Sequence, residues 1–247
     1  MGFTQDFTSA STGAPDSVYW DVTNRDVGAT LLVTDPGSGK VLQFLNSNLD
    51  ADGEMLYSVW TVTDDFTIDV VIDYTTPDNY NLCVIGMFVA DEDITRLPAY
   101  KALDDVSPKI DGFWLEFLSR GNDQLDLGMR TTEGGSLVSA TNSGAYDWSA
   151  NRYSAVARGG ATTTVRLERS GSHSIIKIMA SSIGTFQTLS DYDGVSTAPM
   201  GFFINSGNNG ALASVNEIKS ITGVTGTYSG LPPEQSLRRK MSNLINY

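Results

Sequence analysis

The chain has 247 residues and carries 29 acidic against 16 basic side chains, giving a formal net charge of −13 and a pI near 4.3. Nucleic acid and anionic membranes are bound through clustered Lys and Arg, so this charge argues against both as partners, and no apolar run is long enough for membrane insertion. The single cysteine, Cys83, excludes a disulfide within the chain and is predicted to be a buried apolar residue.

Short apolar or alternating runs, separated by turn-forming residues, follow one another along the chain. The regular spacing predicts an all-β, two-sheet antiparallel sandwich forming one main domain, residues 1–226. Two long connections, 91–110 and 133–151, are predicted loops at its rim. The predicted strands are 30–34, 40–45, 54–62, 66–73, 82–90, 113–118, 124–130, 153–158, 162–169, 173–179, 200–205 and 213–221.

The runs 113–118 and 124–130 flank a polar loop and predict an antiparallel hairpin. Centring this hairpin on Gly121 places Leu115 opposite Leu127 and Phe117 opposite Leu125, so that apolar residues match across one face. The other face then carries Trp114 above Gly128, Glu116 opposite Asp126, and Arg130.

Trp114, Glu116, Asp126 and Arg130 are together the predicted glycan-binding residues. An aromatic ring suits the C–H face of a sugar, and charged groups suit its hydroxyls. The alternative is a covered face, on which Trp114 belongs to the core and Arg130 neutralises the two acids.

Residues 162–186, TTTVRLERSGSHSIIKIMASSIGTF, predict a second hairpin with a Ser170-Gly171 turn. The run resembles the Arg-x-Glu-Arg-x-Gly hairpin, followed by Ala-Ser and Gly-x-Phe, of the concanavalin A-like lectin/glucanase superfamily, including its laminin-G-like branches. This resemblance implies a jelly-roll sandwich spanning roughly residues 7–223. His173, the only histidine, is predicted to face Glu168 across the hairpin as an exposed ion pair.

Catalysis is the alternative to binding. The glucanase branch of that superfamily carries its acids on one strand as Glu-x-Asp-x-x-Glu, and this sequence has no such run. Glu116 and Asp126 are the alternative acids, because carboxylates about 5 Å apart suit a retaining glycoside hydrolase. Facing carboxylates repel each other unless a basic residue intervenes, so the sequence favours a non-enzymatic protein.

Aspartates on predicted loops are candidate calcium ligands, because Ca²⁺ prefers oxygen donors. None of them has the spacing of an EF-hand loop, and solvated acidic surface is the alternative. The candidates are Asp91, Asp93, Asp191 and Asp193.

Residues 227–247 are predicted to form a C-terminal arm with a short amphipathic helix. Apolar residues recur there at helical spacing, beside three basic residues whose charge is opposite to that of the body. The arm either packs on its own chain or locks the subunits of a homo-oligomer or larger assembly. Its residues are Leu237, Arg238, Arg239, Lys240, Met241, Leu244 and Ile245.

The N-terminal segment has neither a basic start nor an apolar stretch, so no signal peptide is predicted. A fold of extracellular type without such a signal favours a virion protein, for capsid decoration or receptor binding, over a trimmed secreted module. The sequence thus predicts a non-enzymatic lectin-like binding or assembly module at a virion or other extracellular surface, with glycan or polysaccharide as its candidate partner. A polysaccharide-active enzyme, hydrolase or lyase, is the alternative.

Overall fold

The computed structural model describes residues 3–7, 10–24, 30–37, 39–46, 54–75, 81–94, 110–119, 125–142, 162–180, 184–208 and 214–231. Within these ranges the chain is built of antiparallel strands, as predicted. The strands are β1 (Phe3–Asp6), β2 (Trp20–Asn24), β3 (Thr30–Thr34), β4 (Val41–Asn46), β5 (Glu54–Ser58), β6 (Thr61–Thr75), β7 (Asn81–Val89), β8 (Gly112–Ser119), β9 (Leu125–Glu133), β10 (Ser136–Asn142), β11 (Thr162–Ser170), β12 (His173–Ala180), β13 (Gln187–Asp193), β14 (Met200–Asn208) and β15 (Ser214–Ser229).

The strands form two layers, which we call sheet 1 and sheet 2. Sheet 1 has the order β2-β5-β14-β7-β8-β9-β10, and sheet 2 has the order β13-β12-β11-β6-β15. β1 and β4 pair with the far side of β15, and β3 pairs with β4. Met200 of β14 pairs with Val62 of β6 and connects the two layers. The architecture is therefore the predicted two-sheet sandwich.

Side-chain alternation along the strands decides which residues fill the space between the layers. Each large apolar side chain buried there contributes about 1.5 to 3 kcal/mol to folding. The inward face of sheet 1 includes Leu56, Cys83, Ile85, Met87, Phe113, Leu115, Phe117, Phe202 and Ile204, and that of sheet 2 includes Ile68, Val70, Ile72, Val165, Leu167, Ile176, Ile178, Ile218 and Ile221.

Several boundaries differ from the sequence predictions. β10 lies within the segment 133–151, which was predicted to be a loop. β15 continues to Ser229, where it pairs with Thr61, so this strand crosses the domain boundary predicted at residue 226. The rest of the arm, 232–247, and the predicted strand 153–158 lie outside the described residues. No helix in the described ranges has the length and hydropathy to cross a membrane.

The β11–β12 hairpin forms, but its turn lies one residue later than predicted. Ser170 pairs with His173, so Gly171 and Ser172 form the turn and His173 does not face Glu168. The cause is Gly171, whose φ of +61° is a left-handed conformation that favours glycine. Its N–H donates to Asp65 Oδ1 at 2.7 Å, which fixes the turn to the N-terminal part of β6.

The superfamily-like residues of this hairpin have structural partners. Arg166 donates from Nε and Nη2 to both carboxylate oxygens of Asp69, each at 2.7 Å, and its guanidinium lies 3.9 Å from the ring centroid of Phe186. Lys177 Nζ lies 2.6 Å from Glu168 Oε2. These contacts join β6, β11, β12 and the start of β13 on the outer side of sheet 2.

Arg169 of β11 is buried and ties β6 to the segment 196–198 through carbonyl groups of both. It donates to the carbonyl of Asp64 from Nε and Nη2, and to those of Ser196 and Ala198 from Nη1. Burial lowers the pKa of this guanidinium from its usual value. The conspicuous arginine pattern is thus explained by folding.

We expect Arg169→Ala to lower the free energy of unfolding by about 2 to 4 kcal/mol, because it leaves buried carbonyls without donors. Arg166→Ala removes a partly exposed pair and is expected to cost about 1 kcal/mol or less. Urea denaturation of both variants measures the difference. Equal losses would contradict the structural role assigned to Arg169.

Candidate functional site

The β8–β9 hairpin carries the predicted site, but its register differs from the prediction. Glu116 pairs with Gly128, and Trp114 pairs with Arg130. The predicted pairing of Glu116 with Asp126 is wrong, since Asp126 instead lies opposite Leu118.

The difference is a slip of two residues, and this explains why the polarity pattern did not detect it. Leu115 pairs with Met129 and Phe117 with Leu127, so apolar residues still face apolar residues. A side-chain period of two makes registers that differ by two residues equivalent in polarity. The faces were therefore assigned correctly, although the pairs were not.

Trp114 lies on the outer face of sheet 1, which is the side turned away from sheet 2. Its side chain is only 1% exposed, so the ring is a core residue and offers no surface to a sugar. The outer face is therefore covered around Trp114, which is the alternative given by the sequence, and the ring does not form an open aromatic platform. The cluster around the ring consists of Met55, Val84, Phe88, Ile94, Ile110 and Phe203, with Tyr57 packed against it.

The cluster forms because β5, β14, β7 and β8 place apolar residues on both of their faces. Across these strands, Tyr57, Phe203, Gly86 and Trp114 form one row of paired positions. A Cβ at Gly86 would overlap that of Trp114 and come within 2.8 Å of the Phe203 ring, so the glycine lets both rings pack against the sheet.

A polar group lies beside this cluster on the same face. Trp114 Nε1 donates to Glu116 Oε1 at 2.9 Å, and Arg130 Nη2 lies 3.4 Å from Glu116 Oε2. The side chains of Glu116 and Arg130 are each 10% exposed. A Cβ at Gly128 would lie 2.6 Å from Glu116 Oε2, so this glycine is needed for the carboxylate to lie flat on the sheet.

Asn205 is a further polar residue of this face, and sequence reasoning missed it. It pairs with Val84, which pairs with Glu116 two strands away, a separation of about 10 Å by ordinary strand spacing. Asn205 is 4% exposed, and its Oδ1 accepts no hydrogen bond from any described residue. The sequence feature that could have indicated this residue is the amide of Asn205 at the end of the apolar run 200–205.

The candidate calcium ligands do not come together. Asp91 and Asp93 are exposed in the turn after β7. Asp191 and Asp193 lie on β13, where they contact the imidazole of His173 from Oδ1 at 2.8 and 3.8 Å. In the part of the chain that the structure describes, no three carboxylate, His or Cys side chains are grouped to hold a metal ion. Within the described residues, the four candidate aspartates therefore do not form a calcium site.

Comparisons with known proteins identify the fold. No protein-family model and no curated protein sequence matches the chain. Among solved structures, the lectin UEA-II complexed with galactose shares 12% identity over 93% of this chain and 98% of its own, with a TM-score of 0.58. The exoplasmic/lumenal domain of VIP36, in its Ca²⁺/Man3GlcNAc-bound form, shares 9% over 88% of each chain, with a TM-score of 0.53.

A GH16 structure of the Bacteroides ovatus mixed linkage glucan PUL, in complex with a G4G4G3G product, shares 10% identity with this chain. The match covers 89% of this chain and 98% of its own, with a TM-score of 0.58. Lectins and glycoside hydrolases thus share this architecture. The chain has the concanavalin A-like jelly-roll fold, as the resemblance implied. At these identities the likeness concerns the fold, and function has to be argued from the site.

Titration of His173 tests the hydrogen bond that joins its imidazole on β12 to Asp191 on β13. Its hydrogen bond to Asp191 raises the pKa of the imidazole above the ordinary value, and the charge of Asp193 adds to this. We expect an NMR titration midpoint above about 6.5. Asp191→Asn should lower it more than Asp193→Asn.

Because the folded-state pKa is raised, the stabilisation from His173 is fully present below its unfolded pKa and is lost as the pH rises through the folded pKa. A midpoint at or below the ordinary value would contradict this arrangement.

Proposed function

We propose that the protein is a non-enzymatic, lectin-like module that binds glycan on the outer face of sheet 1, where Glu116 and Arg130 reach the surface. The observation that carries this proposal is a nearly buried ion pair on a face whose centre is apolar. Taking two charges out of water costs several kcal/mol per ion before their attraction is counted, so packing alone gives no reason for the pair.

The chemistry of this polar group suits sugar hydroxyls. A carboxylate accepts hydrogen bonds and a guanidinium donates them in a fixed fork, so the two together match neighbouring hydroxyls. Trp114 acts as a positioning residue, because its indole N–H holds one oxygen of Glu116.

The structural neighbours support a carbohydrate ligand for this chain. Those crystallised with galactose, Man3GlcNAc and a glucan product come from both lectins and glycoside hydrolases. Lectins and glycoside hydrolases differ in whether carboxylic acids are positioned to cleave the glycosidic bond.

A polysaccharide-active enzyme is the second candidate, and Glu116 would be its first acid. Its Oε1 accepts from Trp114 and its Oε2 pairs with Arg130. The observed register also removes Asp126 from the position directly across the hairpin. Both findings favour binding. New reducing ends released from a polysaccharide, and abolished by Glu116→Gln, would instead establish an enzyme.

We further propose that the protein is located on a virion or another extracellular surface, because a glycan-binding module there can contact the glycans of cell surfaces. Detection of the chain in purified particles from its source would support this setting. Its confinement to other fractions would exclude it.

Glycan-array binding with the Glu116 and Arg130 variants tests the proposed site. We expect Glu116→Gln and Arg130→Lys each to weaken binding at least tenfold, or about 1.4 kcal/mol, because each removes a fixed charge or the guanidinium fork. Arg166→Lys is the matched control, since it alters a similar pair on sheet 2.

Thermal unfolding of each variant separates lost binding from lost folding, because breaking a buried pair is itself destabilising.

The array is run with calcium and with chelator, and equal glycan binding is expected in the two conditions. Unchanged binding in both site variants would refute the site, and a blank array with intact protein would refute the function.

A further inference from the structure

An exposed apolar patch lies where β5 turns into β6. Val18 and Val59 are 52% and 45% exposed, although Val59 directly precedes the buried Trp60. The two are held together because Val59 N donates to the carbonyl of Tyr19 at 3.1 Å. We call Val18, Tyr19 and Val59 the valine patch.

The last described residues of the chain lie against this patch. Ser229 pairs with Thr61 of β6. At Gly230 a Cβ would lie 3.0 Å from the carbonyl oxygen of Val59, so the backbone there passes beside Val59. Leu231 then packs, partly buried, against the core. The described chain therefore ends at Leu231, one residue after this contact with Val59.

The sequence that follows has a matching apolar stripe. Two prolines extend the chain by about 3 Å each, so the predicted amphipathic helix begins within about 10 Å of Leu231. An amphipathic helix needs an apolar surface to cover its stripe. The residues of that stripe are Leu237, Met241, Leu244 and Ile245.

Charge also favours contact between arm and patch. Asp16 and Asp21 are exposed and flank Val18 and Tyr19 in the sequence, with Asp16 Oδ1 accepting from Val18 N at 3.0 Å and Asp21 Oδ2 from the Tyr57 hydroxyl at 2.9 Å. The arm carries the consecutive basic residues Arg238, Arg239 and Lys240, while the whole chain has a net charge of −13.

We propose that residues 232–247 dock on the valine patch of their own chain. A direct connection to the patch gives the arm a high effective concentration there, in the millimolar range for short linkers. The patch has three residues, whereas a stable contact between separate chains uses roughly 20 to 30 residues on each side. These two facts favour the same chain over a neighbouring subunit.

Hydrogen exchange of the intact chain, followed by mass spectrometry, tests this docking. The amides of 237–245 should exchange on the order of tenfold more slowly than in a synthetic peptide of residues 232–247. The double variant Val18→Ser/Val59→Ser should remove this protection. Val138→Ser/Val224→Ser is the matched control, because these valines are 39% and 41% exposed elsewhere and should leave it unchanged.

Each other outcome would overturn the proposal. Exchange at the rate of the free peptide would show that the arm does not dock. Protection retained in Val18→Ser/Val59→Ser would assign it to another surface. Protection that rises with protein concentration would show that the occupant is the arm of a second copy.

Discussion

Sheet 1 has apolar residues on both of its faces, and the rest of the structure depends on this constraint. In β7, Cys83 and Ile85 face sheet 2, while Val84 and Phe88 face outward. Each large apolar side chain left in water would forgo about 1.5 to 3 kcal/mol, so the outer face has to be covered. Ile94 and Ile110, at the two ends of the connection between β7 and β8, belong to the outer cluster. This covering limits a ligand to the polar margin.

At that margin, the ion pair of Glu116 and Arg130 depends on its neighbours. Trp114 satisfies one carboxylate oxygen, and Gly128 leaves room for the other. The proposed site is on β8 and β9, whereas the valine patch adjoins β2 and β5. β14 and β7 lie between them, so the two are separated by roughly 15 Å or more. The two proposals therefore concern different surfaces and are tested by separate experiments.

The fold class and the faces of β6, β8, β9, β11 and β12 followed from the sequence, because alternation with period two survives register errors of two residues. For that reason Leu115 and Phe117 were assigned to the core although their partners were not the predicted ones. Polarity does not distinguish registers that differ by two residues, so the choice between them depends on the loop between the strands. The sequence left open whether Trp114 is buried or exposed, because its burial depends on residues distant in sequence, such as Phe203. The role of Gly128 follows only from the observed pairing with Glu116.

The indole N–H signals of the tryptophans offer the most direct test of where glycan binds. In a ¹⁵N–¹H spectrum recorded as an array-selected glycan is added, the Trp114 signal should shift, because its hydrogen bond ends on Glu116. The signals of Trp20 and Trp60, which lie in the core between the sheets, should stay in place. Trp114→Phe assigns the relevant peak. Binding that leaves the Trp114 signal unmoved would contradict a glycan site at Glu116 and Arg130.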